Sequence, residues 1–281
     1  MYKNLAPHTL NCNGRLLSLE RPKVMGILNA TPDSFFSGSR VETERDIAQR
    51  SLQILNEGGH IIDIGAYSTR PFATEVSEAE ERERMANALR IVRQELPDAV
   101  ISVDTFRASI AKMSVEEFGA DIINDISAGD FDNGMIDTMA QLRVPYIAMH
   151  TQGRPQTMQT APSYDNVVAD VVKHLSEKVQ LLRQRGIADI VIDPGFGFGK
   201  TIAHNFKLLR HLEAFHIFKL PILVGISRKS FISKTLNVDT DAALNGTTAL
   251  HAIALSKGAH ILRVHDVESA VQVVTLNEHL Q

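Results

Sequence analysis

Ile190-Val191-Ile192-Asp193-Pro194-Gly195-Phe196-Gly197-Phe198-Gly199-Lys200 joins a short apolar run to a loop holding a carboxylate, three glycines, two phenylalanines and a lysine. The run reads as a strand buried on both faces, the type found in parallel sheets covered by helices. The segment after it reads as a ligand loop, because alternating glycines permit φ > 0 or close backbone approach at an entropic cost that a plain connector has no need to bear. Two phosphate-loop patterns fail here. G-x-x-x-x-G-K-[ST] ends correctly in Gly199-Lys200-Thr201 but requires glycine where Pro194 stands. G-x-G-x-x-G fails because the third glycine comes one residue early and no acidic residue ending a following strand sits about twenty residues on.

Outward from this stretch the same unit recurs: buried apolar run, polar or glycine-containing loop, then a helix with 3.6-residue apolar spacing. Strands are expected at Val24–Leu28, Ile61–Ile64, Val100–Val103, Ile122–Ile123, Tyr146–Met149, Ile190–Ile192, Ile222–Val224 and Ile261–Val264. Helices are expected near 43–57, 77–95, 107–118, 133–142, 165–185, 203–213, 241–257 and 267–278. Eight such units fit a closed (β/α)8 TIM barrel, an α/β fold, better than an open sheet. Before them, residues 8–20 alternate around Asn13-Gly14, the pair favoured in a two-residue primed turn, so an N-terminal β-hairpin is expected to cover one end of the core. No linker divides the chain, which reads as one domain over residues 1–281.

Composition narrows the function classes. A chain of 281 residues, 44% hydrophobic and 22% charged, is ordinary for a soluble globular protein. Its net charge of -4 gives no general pull toward nucleic acid or anionic membrane, so an anion site must be built locally. The single cysteine, Cys12, excludes an internal disulfide and suits a reducing compartment. There is neither a membrane-length apolar run nor a signal-peptide core, and a cytoplasmic location is expected.

A barrel places its ligands at the C-terminal ends of its strands. Polar residues cluster there: Asn29, Ser68-Thr69-Arg70, Asp104, Asn124-Asp125, His150, Asp193, Ser227-Arg228-Lys229 and His265-Asp266, with Arg263 inside the last strand. Asp104 and Asp193 in one mouth repel unless shared donors separate them, which favours a ligand rich in N–H groups such as a pterin or purine edge. Asn124 adds a donor and an acceptor, and Lys229 is placed to meet a ring nitrogen or carbonyl. Asp104 has a second reading as the cap of the helix that follows. Arg70, Arg263 and His265 suit a phosphate or pyrophosphate, and Asn29 suits an accompanying Mg2+, which takes few protein ligands. His150 alone reads as a satisfied structural histidine.

These residues lie in stretches that together resemble dihydropteroate synthase: Gly26–Phe35, Asp63–Pro71, Ser102–Thr105, Ile123–Ile126, Met149-His150 with Gly153–Gln159, Asp193–Lys200, Ser227–Ser230 and Arg263–Asp266. The resemblance implies a TIM barrel that condenses 6-hydroxymethyl-7,8-dihydropterin pyrophosphate with p-aminobenzoate, with Mg2+ as cofactor. It implies pterin contacts from Asp104, Asn124, Asp193 and Lys229, and pyrophosphate contacts from Asn29, Arg70, Arg263 and His265, with Asn29 on the metal. Thr69, Pro71, Phe198 and Ser230 would face p-aminobenzoate, and Asp104, Asp193, Lys229 and Arg263 would act in catalysis. A homodimer and sensitivity to sulfonamides, which mimic p-aminobenzoate, are implied as well. Loops over Thr31–Arg40 and Ser68–Ala73 are expected to close over the site. Both depart from the family's usual pattern, at Phe36-Ser37, Tyr67 and Phe72. A methyltetrahydrofolate:corrinoid methyltransferase and a catalytically silent pterin binder are the competing readings.

Overall fold

A computed structural model describes residues 8–30, 40–67, 76–155, 157, 158, 160 and 162–280, with the backbone alone for 40–43. The chain opens with an antiparallel hairpin of β1 (Thr9–Cys12) and β2 (Arg15–Ser18). Its turn is the one that Asn13-Gly14 demands, with φ of 53° and 89°. Eight parallel strands follow: β3 (Lys23–Asn29), β4 (Ile61–Gly65), β5 (Ile101–Asp104), β6 (Ile122–Asp125), β7 (Tyr146–Met149), β8 (Ile190–Asp193), β9 (Leu223–Val224) and β10 (Ile261–Val264). Between and after them run α1 (Arg40–Asn56), α2 (Glu78–Glu95), α3 (Ala108–Phe118), α4 (Met135–Leu142), α5 (Val167–Gln184), α6 (Ile202–Arg210), α7 (Ser230–Leu236), α8 (Leu244–Ser256) and α9 (Val267–Glu278).

The sheet order is β8-β7-β6-β5-β4-β3-β10-β9, and a single parallel bridge from Ile192 to Ile222 closes it into a barrel. Each strand alternates. Val24, Ile62, Val103, Ile123, Ala148, Ile192, Val224 and Leu262 belong to the large core beneath the helices. Their neighbours Met25, Ile61, Ile122, Ile147, Val191, Leu223 and Ile261 meet inside the barrel, where Leu10, Cys12 and Leu19 of the hairpin segment complete the cluster. The hairpin therefore plugs the N-terminal end, as expected. Arg15 of β2 anchors it through Asp121, a 1% exposed carboxylate at 3.0 Å that Arg93 Nη2 and Ile101 N also reach, both at 2.9 Å.

The helices differ from expectation in two places. After β9, α7 occupies Ser230–Leu236, where Ser230, Ser233 and Thr235 weaken any helix signal. The helix expected at 203–213 stops at Arg210 and continues as a 3-10 segment over Leu212–Phe218. Gly119 ends α3 at φ 63°, the left-handed cap that a glycine before a strand supplies.

Candidate active site

Above the plug, the inward positions change from apolar to charged. Period-two alternation carries Asp63 above Ile61, Asn124 above Ile122, Asp193 above Val191 and Arg263 above Ile261. Asp104 stands at the end of β5 beside Asn124. Arg263 Nε donates to Asp63 Oδ2 at 2.6 Å and Nη2 to Asp104 Oδ2 at 2.7 Å. Asn124 Nδ2 reaches the same Asp63 carboxylate at a long 3.4 Å. Burial works against the Arg263 charge, but Asp63 and Asp104 outweigh it and raise its pKa further. Burial pushes Asp104 up to about 7 against the pull of Arg263, with Asp63 adding a like charge. The cap reading of Asp104 is set aside: Asp132 Oδ2 accepts from the Ala108 amide at 2.8 Å at the start of α3, and Asp104 faces the lumen.

The neighbouring residue, Asp125, faces away from the lumen. It accepts from Ser127 N and Oγ at 2.7 Å and Gly129 N at 2.8 Å, so it holds its own loop.

On the opposite wall, Asp193 Oδ1 accepts from Gly195 N at 2.7 Å. Burial raises the Asp193 pKa, and Lys229 opposes that shift. Lys229 donates to Phe196 O, and its Nζ lies 4.6 Å from the centre of the Phe198 ring. Burial lowers its pKa to about 8 against the pull of Asp193. Gly225 keeps this corner open: a Cβ there would stand 3.9 Å from Lys229 Nζ and 4.0 Å from Asp193 Oδ2. Gly195 at φ 73° has no alternative residue, since a Cβ would lie 1.8 Å from His150 O.

At the rim, Asn29 Oδ1 and Asp104 Oδ2 flank the space beside Gly65, where a Cβ would be 3.9 and 3.8 Å from them. His265 is exposed, its amide donates to Ser227 Oγ at 3.1 Å, and Arg50 Nη2 donates to its carbonyl at 2.6 Å. Surrounding protein and then Arg263 lower the His265 pKa to about 4. Arg228, at φ 53°, grips Asp266 bidentately at 2.8 and 2.7 Å and ties the β9 loop to the β10 loop. Ser230 is exposed at the start of α7, and Phe198 is half-buried beside Met149, Ile126, Phe106, Phe131 and Tyr67. Thr69, Arg70, Pro71 and Phe72 lie outside the described residues, as do the two segments expected to close, Thr31–Arg40 and Ser68–Ala73, apart from the backbone of Arg40.

A family model described as pterin binding enzyme matches residues 25–265. The dihydropteroate synthase of Escherichia coli K12 is 43% identical over 271 residues, covering 96% of this chain and 95% of that protein. This chain belongs to the dihydropteroate synthase family. The Haemophilus influenzae dihydropteroate synthase is also 43% identical, over 92% of this chain and 94% of its own length. Among solved structures, Yersinia pestis dihydropteroate synthase in a sulfonamide drug complex superposes with a TM-score of 0.89 at 41% identity, covering 97% and 99% of the two chains. Xanthomonas albilineans dihydropteroate synthase with 4-aminobenzoic acid gives 0.90 at 38% identity, covering 98% and 99%.

Within this dihydropteroate synthase fold the structure gathers Asp104, Asn124, Asp193, Lys229 and Arg263 in the lumen and sets Asn29, His265, Phe198 and Ser230 around it. Sequence reading missed Asp63 as a site residue. A carboxylate in phase with Ile61 inside a fully buried run was the available signal. The Tyr67, Phe106 and Phe131 edge-to-face chain, with ring centres 5.2 and 5.5 Å apart, had no local signal because three different loops supply it.

Proposed function

We infer that this chain condenses 6-hydroxymethyl-7,8-dihydropterin pyrophosphate with p-aminobenzoate, giving 7,8-dihydropteroate and pyrophosphate, as a transferase of folate biosynthesis. The observation that carries the reading is the lumen itself: Asp63, Asp104, Asp193 and Asn124 around Arg263 and Lys229, in a chain of this family. Asp193 and Asn124 supply acceptors and a donor for a pterin edge, and Lys229 faces a ring nitrogen or carbonyl.

In the reaction the bond from the pterin methylene carbon to the pyrophosphate oxygen breaks, and the arylamine nitrogen attacks that carbon and sheds a proton. Positive charge grows on the pterin side and negative charge on the departing group. Carboxylates near the first and Arg263, Arg70 and His265 near the second favour the transition state over the bound substrates. Two of the guanidinium's nitrogens are on Asp63 and Asp104, so those carboxylates aim Arg263 as well as offset its charge. Thr69, Pro71, Phe198 and Ser230 are assigned to the p-aminobenzoate side.

The oxygens of Asn29 and Asp104 beside Gly65 suit a hard, sparsely liganded ion, and among the described residues no cluster of three or more His, Cys, Asp or Glu offers an alternative cage. Asn29 would hold Mg2+, which would neutralise pyrophosphate charge. Exposed Leu236, Val238 and Ile253, on and around α7 and α8, support a homodimer. One cysteine, and no described helix long and apolar enough to cross a membrane, fit the cytoplasmic setting.

The decisive experiment supplies the pterin pyrophosphate, Mg2+ and p-aminobenzoate and assays dihydropteroate. Product formation establishes the synthase; tight pterin binding without product overturns it in favour of a silent binder.

A further inference from the structure

Lys200 is only 3% exposed and is the lysine that the reaction chemistry leaves without a task. Its Nζ points back into the protein, 2.9 Å from His150 Nδ1, 3.0 Å from Phe198 O and 3.4 Å from His150 O. Three acceptors match the three N–H bonds of an ammonium group, and burial lowers the Lys200 pKa well below the ordinary lysine value while Asp193 opposes that shift. For His150 Nδ1 to accept, its ring must be neutral with the proton on Nε2. Burial, then Lys200 and His174, provide for that by pushing the His150 pKa down to about 2. His174 meets the His150 ring edge-to-face at 4.9 Å and fixes its plane.

The same side chain thus spans two loops. One is the glycine loop after β8; the other follows β7 and begins at His150. Their backbones are in contact without intervening side chains, since a Cβ at Gly199 would lie 2.4 Å from Gln152 O. Other ties of the glycine loop run elsewhere, among them Gly195 N to Asp193 Oδ1 and Gly197 N to Asn205 Oδ1, both at 2.7 Å, Lys229 to Phe196 O, and Tyr164 Oη to Gly199 O at 2.8 Å. Phe198 lies between these ties. Its carbonyl is held by Lys200 and its ring lies under Lys229.

We propose that Lys200 is a positioning residue: through His150 and the Phe198 carbonyl it clasps the glycine loop to the β7 loop, and so sets the Phe198 ring against Lys229. Without the clasp, the carbonyls of Phe198 and His150 lose a buried donor and the loop gains freedom at Phe198. Asp193 and Asn124, each held by its own strand, stay in place. The consequence for turnover rests on the assignment of Phe198 to the p-aminobenzoate side, and the experiment separates the two.

The test compares Lys200→Met and Lys200→Gln with the unaltered full-length protein by hydrogen exchange of residues 195–199 and by steady-state kinetics, with Phe198→Ala as a reference. The clasp predicts exchange at least tenfold faster in Lys200→Met and partly restored in Lys200→Gln, whose amide still donates. It also predicts a KM for p-aminobenzoate raised about tenfold while equilibrium pterin binding stays within threefold. Unchanged exchange overturns the clasp. Faster exchange with an unchanged KM overturns its functional consequence; if Phe198→Ala then also leaves the KM unmoved, the fault lies in the assignment of Phe198. Should Lys200→Met not fold, 15N NMR of the unaltered protein decides: a His150 ring unprotonated at Nδ1 supports the clasp, and one protonated there overturns it.

Discussion

Arg263 Nε lies 2.6 Å from Asp63 Oδ2, so the last strand of the barrel is tied inside the lumen to the second. With Asp63 fully buried and Arg263 only 20% exposed, each charge depends on the other. Asp63→Ala leaves Arg263 with Asp104 alone. Breaking a buried pair at one partner costs on the order of 3 to 5 kcal/mol. Chemical denaturation should show a loss of that size, accompanied by weaker pyrophosphate binding because the guanidinium is no longer aimed.

Asp193→Asn removes the charge from an acceptor that the Gly195 amide already orients. Pterin binding should weaken by roughly 1.5 to 3 kcal/mol, or about 10- to 150-fold in Kd. Titration calorimetry with a pterin ligand measures it directly, and an unchanged Kd would remove Asp193 from the pterin site.

Lys229 sets an alkaline limit. Burial favours its neutral amine in the folded protein, bringing the pKa to about 8 despite Asp193 and Asp104, with Arg263 acting in the same direction as burial. The cation is therefore present below that pH and lost above it, and kcat/KM should fall on the alkaline side of 8 if the cation serves the pterin. Lys229→Arg keeps its proton throughout this range, so its profile should stay flat there at whatever rate remains. Stability moves the other way. From about pH 8 upward to the ordinary lysine range the unfolded chain binds more protons at this residue, and the folded state gains.

Leu10 of the hairpin is 2% exposed among the lowest interior residues of the barrel. Leu10→Ala should cost about 2 to 5 kcal/mol by leaving a cavity. Thermal unfolding followed by circular dichroism should register the loss, while the KM for each substrate stays put because the plug is at the opposite end from the mouth.

The barrel was legible because its runs are short and mostly apolar and several end directly in polar residues, as at Ile192-Asp193 and Val103-Asp104. Asn124 and Asp193 could be placed in the mouth from strand ends alone. Asp63 stands in mid-strand, so its place in the mouth follows only once the strand is phased on Ile61 and that residue is known to face inward. Lys200 was illegible in a different way: the phosphate-loop pattern that it would complete already fails at Pro194, and nothing local shows that its reach carries it backward onto His150, 50 residues away in the chain. Arg228 was legible only as part of a polar loop; its grip on Asp266 depends on a left-handed backbone at φ 53° that nothing local required. The 3-10 segment over Leu212–Phe218 escaped because its apolar spacing continues that of α6 while its hydrogen bonding tightens.

The hairpin under the barrel has a kinetic consequence. Among the described residues, Leu10, Cys12 and Leu19, packed against the lowest ring of strand residues, close the lumen at its N-terminal end. On the proposed reading, with Asn124 and Asp193 deeper in the barrel than Phe198 and Ser230, a pterin would have to enter before p-aminobenzoate, and a product joining the two would leave by the mouth through which both came.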